Sequence, residues 1–267
     1  MPLNSKIFKV LKAGALTLSL AMGLQTAALA GRSCETQPLT PRAVQQGLGL
    51  AARTVARLDA MQAQVVVLAR AGQDLREYGL RYSHLGLAYK EGAHWRVVHK
   101  LNQCGSDQAF LYRQGLGDFF LDTPFEYIAG VVVLAPHVQA RVLPLLKDDA
   151  RVHQLNTRRY NMLAYPWSQQ HQQSNQWAIE TLALALSPDV SNREQAQAWL
   201  RLKGYEPTEL HLSAMTRLGA RLTAANISFD DHPASLRFIG RIRTITVDSV
   251  FEWLARSKLG DSAVLVP

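Results

Sequence analysis

The chain has 267 residues, of which 48% are apolar and 19% are charged. This composition excludes intrinsic disorder, and ordinary counts of 17 glycines and 11 prolines exclude collagen-like and low-complexity proteins. The formal net charge is +8, and two cysteines are too few for a disulfide-built miniprotein or an all-cysteine zinc site.

The first 30 residues have the three parts of a secretory signal peptide. Lys6, Lys9 and Lys12 precede an almost wholly apolar run at 13–24, and an Ala-Leu-Ala sequence at 28–30 is typical of a cleavage site. The apolar run is too short to span a bilayer core of about 30 Å. We therefore predict a signal peptide over 1–30, a periplasmic or secreted protein, and no transmembrane segment after cleavage.

Removal of this segment takes away three lysines and no acid, so the net charge of the mature chain falls to +5. The remaining basic residues are scattered rather than arranged in a stripe, and we expect no nucleic-acid partner. The surplus charge is either a solvated surface or a weak attraction to an acidic envelope surface. Export places Cys34 and Cys104 in an oxidising compartment, which predicts a disulfide between them; the alternative is Cys104 as a free nucleophile.

Apolar periodicity and turn residues predict the elements of the first half of the mature chain. They are a helix over 41–61 with Thr40 as N-cap, strands over 65–69, 83–89, 95–101 and 127–134, a turn at 71–74, a loop over 104–123, and a helix over 136–146.

A polar, irregular segment over 148–173 divides the two halves, and loops of this length are usually functional or disordered. Its Tyr160, Tyr165 and Trp167 either line a sugar- or peptide-binding cleft or pack within the loop. Beyond it we predict a buried helix over 174–186, helices over 192–203, 213–224 and 248–256, the last capped by Asp248, and a strand over 242–247. With no repeat and no linker, residues 31–267 read as one α+β domain with a central antiparallel sheet packed against the 174–186 helix.

Two histidines lie on the paired strands of the predicted hairpin. A two-residue loop of Glu91 and Gly92 places His84 directly opposite His99, on the same face of the sheet. Two adjacent imidazoles serve as a base with its orienting residue, as part of a metal site completed by a third ligand such as His94, or simply as polar residues of a half-exposed sheet. The sequence indicates no complete metal site and no cofactor.

The helix that begins at Ser174 supplies the third feature. A helix N-terminus offers free N–H groups and a positive dipole end, which favour a thiolate or an oxyanion. Ser174 itself is a good N-cap residue, and a serine that caps its own helix is poorly placed for nucleophilic attack.

These features resemble a known family. A strand with Ser-His-Leu-Gly-Leu at 83–87, a next strand ending in Val-Val-His at 97–99, and a distant helix with Asn-Gln at 175–176 resemble the circularly permuted NlpC-type papain-like proteins, which include the lecithin retinol acyltransferase-like proteins. The resemblance implies a papain-like fold, with His84 as the base and His99 as its orienting residue.

The mature chain also resembles an uncharacterised secreted bacterial family known only as a domain of unknown function. That resemblance rests on Gly-Gln-Asp-Leu at 72–75, Tyr-Ser-His-Leu-Gly at 82–86, Ser-Asn-Gln-Trp at 174–177 and Thr-Val-Asp-Ser-Val-Phe at 246–251. It implies a shared fold and no established activity.

The sequence departs from the papain-like pattern at the nucleophile. Where the family has a cysteine, this chain has Gln176, which is not a nucleophile. Four interpretations are open. The domain has lost catalysis and keeps a binding cleft, or Ser174 replaces the cysteine as nucleophile. Alternatively Cys104 is the nucleophile, or Gln176 and Asn175 are oxyanion donors. We expect a degenerate papain-like cleft that binds an envelope component; the alternative is an amide or ester hydrolase or acyltransferase acting on a cell-wall peptide or lipid.

Overall fold

The computed structural model describes residues 38–122 and 124–267. The predicted signal peptide and Cys34 lie outside these residues, so cleavage, export and the Cys34–Cys104 disulfide stay predictions. Within the described ranges, no helix is both long enough and apolar enough to cross a membrane.

Helices and strands alternate irregularly along the chain. The helices are α1 Pro41–Ala60, α2 Leu116–Phe120, α3 Pro136–Lys147, α4 Asp149–His153, α5 Ser174–Leu186, α6 Arg193–Leu202, α7 Ala214–Thr223, α8 Ala234–Phe238 and α9 Val247–Arg256. The strands are β1 Val65–Ala71, β2 His84–Glu91, β3 His94–Asn102, β4 Ala109–Gly115, β5 Glu126–Val133, β6 Thr208–His211, β7 Arg241–Thr244 and β8 Val264–Val266.

A large antiparallel sheet organises the molecule. In the described part of the chain its six strands run in the order β4-β3-β2-β1-β5-β8, and β6 and β7 form a separate antiparallel pair. The predicted α+β class with a central antiparallel sheet is confirmed.

Helices cover both faces of this sheet. In β1, every residue is buried: Val66 and Leu68 pack with α1 and α2, whereas Val67 and Ala69 pack with α3, α5 and α9 on the other face. Such two-sided burial explains why the strand is a continuous apolar run. Helix α5 is buried from Ser174 to Leu184, as its nearly all-round apolar sequence predicts.

The predicted helix caps are confirmed at one helix and wrong at two. The Thr40 side chain accepts a hydrogen bond from the Ala43 N–H, as predicted for an N-cap. The N-cap of α5 is Gln173, without a side-chain hydrogen bond, so the prediction that Ser174 caps its helix is wrong. The prediction that Asp248 caps the last helix is also wrong, because Thr246 caps α9.

The hairpin register differs from the predicted one by two residues. The loop consists of Gly92 and Ala93, and Glu91 pairs with His94. Gly92 has a φ of +60°, which glycine adopts without strain and which suits the first position of a two-residue turn. A shift of two preserves the face of every side chain, so the predicted shared face of the histidines survives.

The predicted loop over 104–123 is wrong. It contains β4, which pairs with β3 along its length, and the short helix α2. Strand β4 is an edge strand with several exposed side chains, and that removes the apolar periodicity by which strands are recognised.

The segment over 148–173 is held by a buried ion pair. The Arg193 Nε donates to Glu180 Oε2 at 2.8 Å, and both side chains are nearly inaccessible. The same guanidinium donates to the carbonyl oxygens of Ser168, Gln169 and His171. Because the Arg193 guanidinium binds three backbone carbonyl groups of this segment, the segment is fixed against the rest of the fold.

We expect Arg193→Met to cost about 3–5 kcal/mol of unfolding free energy, because it leaves the Glu180 carboxylate buried without its counter-ion. Urea denaturation measures the loss. Arg96→Met is the matched control, since the Arg96–Glu91 pair is exposed and is worth at most about 1 kcal/mol. Equal losses in the two variants would contradict the structural role of Arg193.

Candidate functional site

The two predicted histidines are in contact. The Nε2 atom of His84 lies 2.9 Å from the Nδ1 atom of His99, and His99 is fully buried. The register places His99 opposite Gly86 rather than opposite His84, so the two imidazoles are diagonal neighbours. A Cβ atom on Gly86 would lie 2.6 Å from Val97 Cγ1 and 3.0 Å from the His99 Cβ, so glycine leaves room for both side chains on this face.

Ser174 extends this pair into a hydrogen-bonded chain of side chains. Its Oγ lies 3.3 Å from His84 Nδ1, at the first turn of α5. Ser174 also hydrogen-bonds the buried Tyr160, whose pKa burial raises to about 12, with the Ser174 bond opposing that rise. Tyr160 therefore keeps its proton at neutral pH.

Gln114 on β4 ends the chain of side chains at its other side. Its Oε1 accepts a hydrogen bond from His99 Nε2 at 2.7 Å. A neutral His99 that donates through Nε2 must accept through Nδ1, so His84 donates through Nε2 and keeps Nδ1 as an acceptor for the Ser174 hydroxyl. The orientation of one amide thus fixes the direction of every hydrogen bond from Gln114 to Ser174.

We expect both histidines to be neutral Nε2–H tautomers at pH 7. Long-range ¹H–¹⁵N NMR spectra report the tautomer of each ring, with His84→Gln and His99→Gln used for assignment. Nδ1–H tautomers would mean that the Gln114 amide is reversed and that His84 cannot accept the Ser174 proton.

A buried arginine stands beside the pair. Arg70 lies opposite His84 across β1 and β2, and its guanidinium lies 4.8 Å above the Phe119 ring. It donates to Asp122 Oδ2 at 2.5 Å and to the Phe119 carbonyl oxygen. The sequence signal for this residue is a single arginine in the otherwise apolar β1 strand.

Burial and the Arg70 charge keep both imidazoles neutral. Burial, then Arg70 and then His99, lower the pKa of His84 well below its ordinary 6.5. Burial and Arg70 lower the pKa of His99 to about 3, against the opposing hydrogen bond to Gln114. The site therefore holds a neutral hydrogen-bonded pair over the physiological pH range.

The lowered pKa values predict acid sensitivity. Above pH 6.5 both rings are neutral in the folded and unfolded chain, so they add no pH dependence. Below pH 6.5 both histidines take up protons in the unfolded chain but stay neutral in the folded chain. Each ring therefore lowers the unfolding free energy by on the order of 1 kcal/mol per pH unit as the pH falls. For His99 this loss continues down to about pH 3, where the folded chain also binds the proton.

Chemical denaturation at several pH values measures this slope. The variant His99→Gln should flatten it between pH 6 and 4, whereas His153→Gln, which changes an exposed histidine, should not. An unchanged slope in His99→Gln would contradict a neutral buried ring.

The predicted thiol position does not face the histidines. Two residues along a helix turn the side chain by about 200°, and Gln176 donates to the Pro166 carbonyl oxygen at 3.1 Å instead. Asn175 also has a structural task, because it accepts from Leu85 N and donates to the Ile245 carbonyl oxygen. The prediction of Gln176 and Asn175 as oxyanion donors therefore finds no support in these contacts.

The other sequence candidates lie away from the pair. Asn102, at the end of β3, is about 10 Å along the strand from His99, and Cys104 lies further still, in the loop to β4. His94 is exposed at the opposite end of β3. In the described ranges, no cluster of three or more histidine, cysteine or acidic residues is arranged to hold a metal ion.

Access to the site is narrow. Ser174 is 5% exposed, and His84 is 9% exposed. A surface cavity of about 360 Å³ is lined by residues 73–76, 79–81, 125 and 126, and neither Ser174 nor the histidine pair lines it.

The geometry defines an α+β protein with a buried Ser–His–His–Gln chain at a helix N-terminus. A family model described as "Uncharacterized protein conserved in bacteria (DUF2145)" matches residues 57–254, and the chain belongs to that family. No curated protein and no solved structure matches the chain. The matched segment includes Ser174, His84, His99 and Gln114.

Proposed function

We propose that the protein is a serine-dependent acyl hydrolase or acyltransferase. The observation that carries this proposal is the continuous chain from Ser174 Oγ through His84 and His99 to Gln114. A nucleophile, a base in contact with it, and a residue that orients the base are the parts of nucleophilic acyl transfer.

In this proposal Ser174 Oγ attacks the carbonyl carbon of an ester or amide while its proton passes to His84 Nδ1. His84 returns the proton to the leaving alcohol or amine, which leaves an acyl group on Ser174. Water or a second alcohol or amine then removes the acyl group, with His84 as base again. Because α5 begins without a side-chain cap, its first N–H groups are available to stabilise the oxyanion.

The charges around His84 fit a base that accepts a proton only while negative charge forms next to it. Arg70 and burial disfavour an isolated imidazolium at His84. A tetrahedral oxyanion that forms on Ser174 as the proton moves would offset that cost, since its negative charge would lie beside the imidazolium of His84. Proton transfer and bond formation should then be concerted.

A papain-like kinship of the circularly permuted NlpC type agrees with this layout. It would place the base on β2, its partner on β3 and the nucleophile on α5, with Ser174 taking the role of the family's cysteine. The signal peptide predicted over 1–30 would export the protein to the periplasm or the medium. The substrate class we propose is an acylated envelope component, a cell-wall peptide or a lipid.

A fluorophosphonate probe tests the nucleophile without knowledge of the substrate. We expect the full chain to be labelled at Ser174, as located by mass spectrometry, and labelling to fall at least about 100-fold in Ser174→Ala and His84→Gln. Ser187→Ala, at the other end of α5, is the matched control and should be labelled like the native chain. Absence of label at Ser174 in a folded native chain would refute the serine mechanism.

The near-complete burial of Ser174 and His84 favours a second function. In this alternative the domain is a degenerate papain-like binding module for an envelope component, and the Ser–His–His–Gln chain only rigidifies it. Ser174→Ala would then leave ligand binding unchanged, and the native chain would resist the probe.

A further inference from the structure

Lys100 on β3 is fully buried, which is rare for a lysine unless an anion pairs with it. Its Nζ donates to Gln172 Oε1 at 2.8 Å and to the Thr157 carbonyl oxygen, both in the 148–173 segment. Its neighbour Leu111 on β4 is apolar. In the described ranges Nζ thus has two acceptors, and both are uncharged. An ammonium group carries three N–H donors and a neutral amine carries two, so the site matches the neutral amine.

The charges near Lys100 also favour the neutral amine. In the part of the chain that the structure describes, the charged groups that act on Lys100 are Arg193 of α6 and Glu180 of α5, and both are nearly inaccessible. The Glu180 carboxylate already accepts from two nitrogens of Arg193 and from the amides of Gln172 and Gln197. A charged Lys100 would place two cations beside one carboxylate and leave one positive charge unmatched in the interior.

Gln172 joins these groups to the 148–173 segment. Its Oε1 accepts from Lys100 and from the Thr157 N–H, and its Nε2 donates to Glu180 Oε2 at 2.6 Å. A proton gained or lost at Lys100 therefore acts on the contact that connects β3, α5 and the segment. We call Lys100, Gln172, Glu180 and Arg193 the Lys100 cluster.

We propose that the Lys100 cluster is a pH-dependent latch for the 148–173 segment. A proton on Lys100 weakens the closed arrangement, because it adds an unmatched charge and a third N–H donor, and loss of that proton strengthens it. Tyr160 of the same segment hydrogen-bonds Ser174, so opening of the segment would also uncover the nearly closed Ser174. The latch does not depend on the serine mechanism.

The direction of the pH dependence follows from the closed and open states of the segment. Burial and then Arg193 lower the pKa of Lys100 to about 7 in the closed structure, against the opposing charge of Glu180. In the open state water reaches the ammonium group, and its pKa returns towards the ordinary 10.5. Between these values the open state binds more protons, so the opening equilibrium constant rises about tenfold for each pH unit of decrease. Below about pH 7 both states carry the proton and the dependence ends.

Amide hydrogen exchange of the full chain tests this proposal. The N–H groups of Thr157, Tyr160 and Gln172 are hydrogen-bonded in the closed segment. We expect their protection factors to rise about tenfold per pH unit between about pH 7.5 and 9.5, and to stay below those of the central strand β1 because the opening is local. Protection factors equal to those of β1 would mean that only global unfolding releases the segment, and would overturn the proposal.

Lys100→Met removes the titrating group and keeps an unbranched side chain, so the protection factors of the segment should lose their pH dependence. Lys147→Met is the matched control, because Lys147 is an exposed lysine on α3, and it should keep the native slope. A native slope in folded Lys100→Met would overturn the proposal.

A second measurement needs no variant. In ¹³C NMR spectra of the native chain with labelled lysines, one lysine should titrate near pH 7, whereas an exposed lysine titrates near 10.5. If every lysine titrates near 10.5, Lys100 stays charged in the closed segment and the latch is refuted.

Discussion

The hydrogen bond between His84 Nε2 and His99 Nδ1 orders the centre of the molecule. It forms because two antiparallel strands place both rings on one face and because Gly86 leaves room for the His99 side chain. In this low-dielectric interior, each nitrogen needs a partner of the right kind. Gln114 on one side and Ser174 on the other supply the remaining hydrogen-bond partners, so the hairpin, the edge strand and α5 share one network.

The same burial that strengthens this network limits its chemistry. A nearly enclosed imidazole beside Arg70 is a poor proton acceptor in the resting state. Catalysis at Ser174 would need negative charge to develop as the proton moves, whereas a binding module would need only the rigidity of the network. Family membership adds no activity, because the family itself is described as uncharacterized, and only the site indicates a function.

Lys100 and His99 are neighbours in sequence but serve different parts of the fold. Strand alternation turns His99 toward Arg70 and Phe119, and it turns Lys100 toward Gln172, to which its Nζ donates at 2.8 Å. Burial lowers the pKa of Lys100 to about 7, with Arg193 adding to the effect and Glu180 opposing it. The buried polar groups of the 148–173 segment and those of the histidine pair are therefore organised on opposite faces of the same strand.

The sequence by itself determined the features that depend on local pattern. Thr40 and Pro41 started α1, the apolar run from 174 onward indicated a buried helix, and a hairpin loop of even length placed His84 and His99 on one face. Those signals are local because capping, periodicity and strand alternation involve residues a few positions apart. Strand β4 escaped them, since an edge strand with exposed side chains lacks an apolar pattern.

Only the tertiary structure decided which groups meet the histidines. The sequence offered Ser174 both as an N-cap and as a replacement nucleophile, it put Gln176 at the family's nucleophile position, and it did not predict Gln114 or Arg70 as site residues. The partner of His84 lies 90 residues away and that of His99 lies 15 away on an edge strand. Contacts over such separations depend on how α5 and β4 pack against the hairpin, and that packing reflects the burial of whole surfaces rather than any short run of residues.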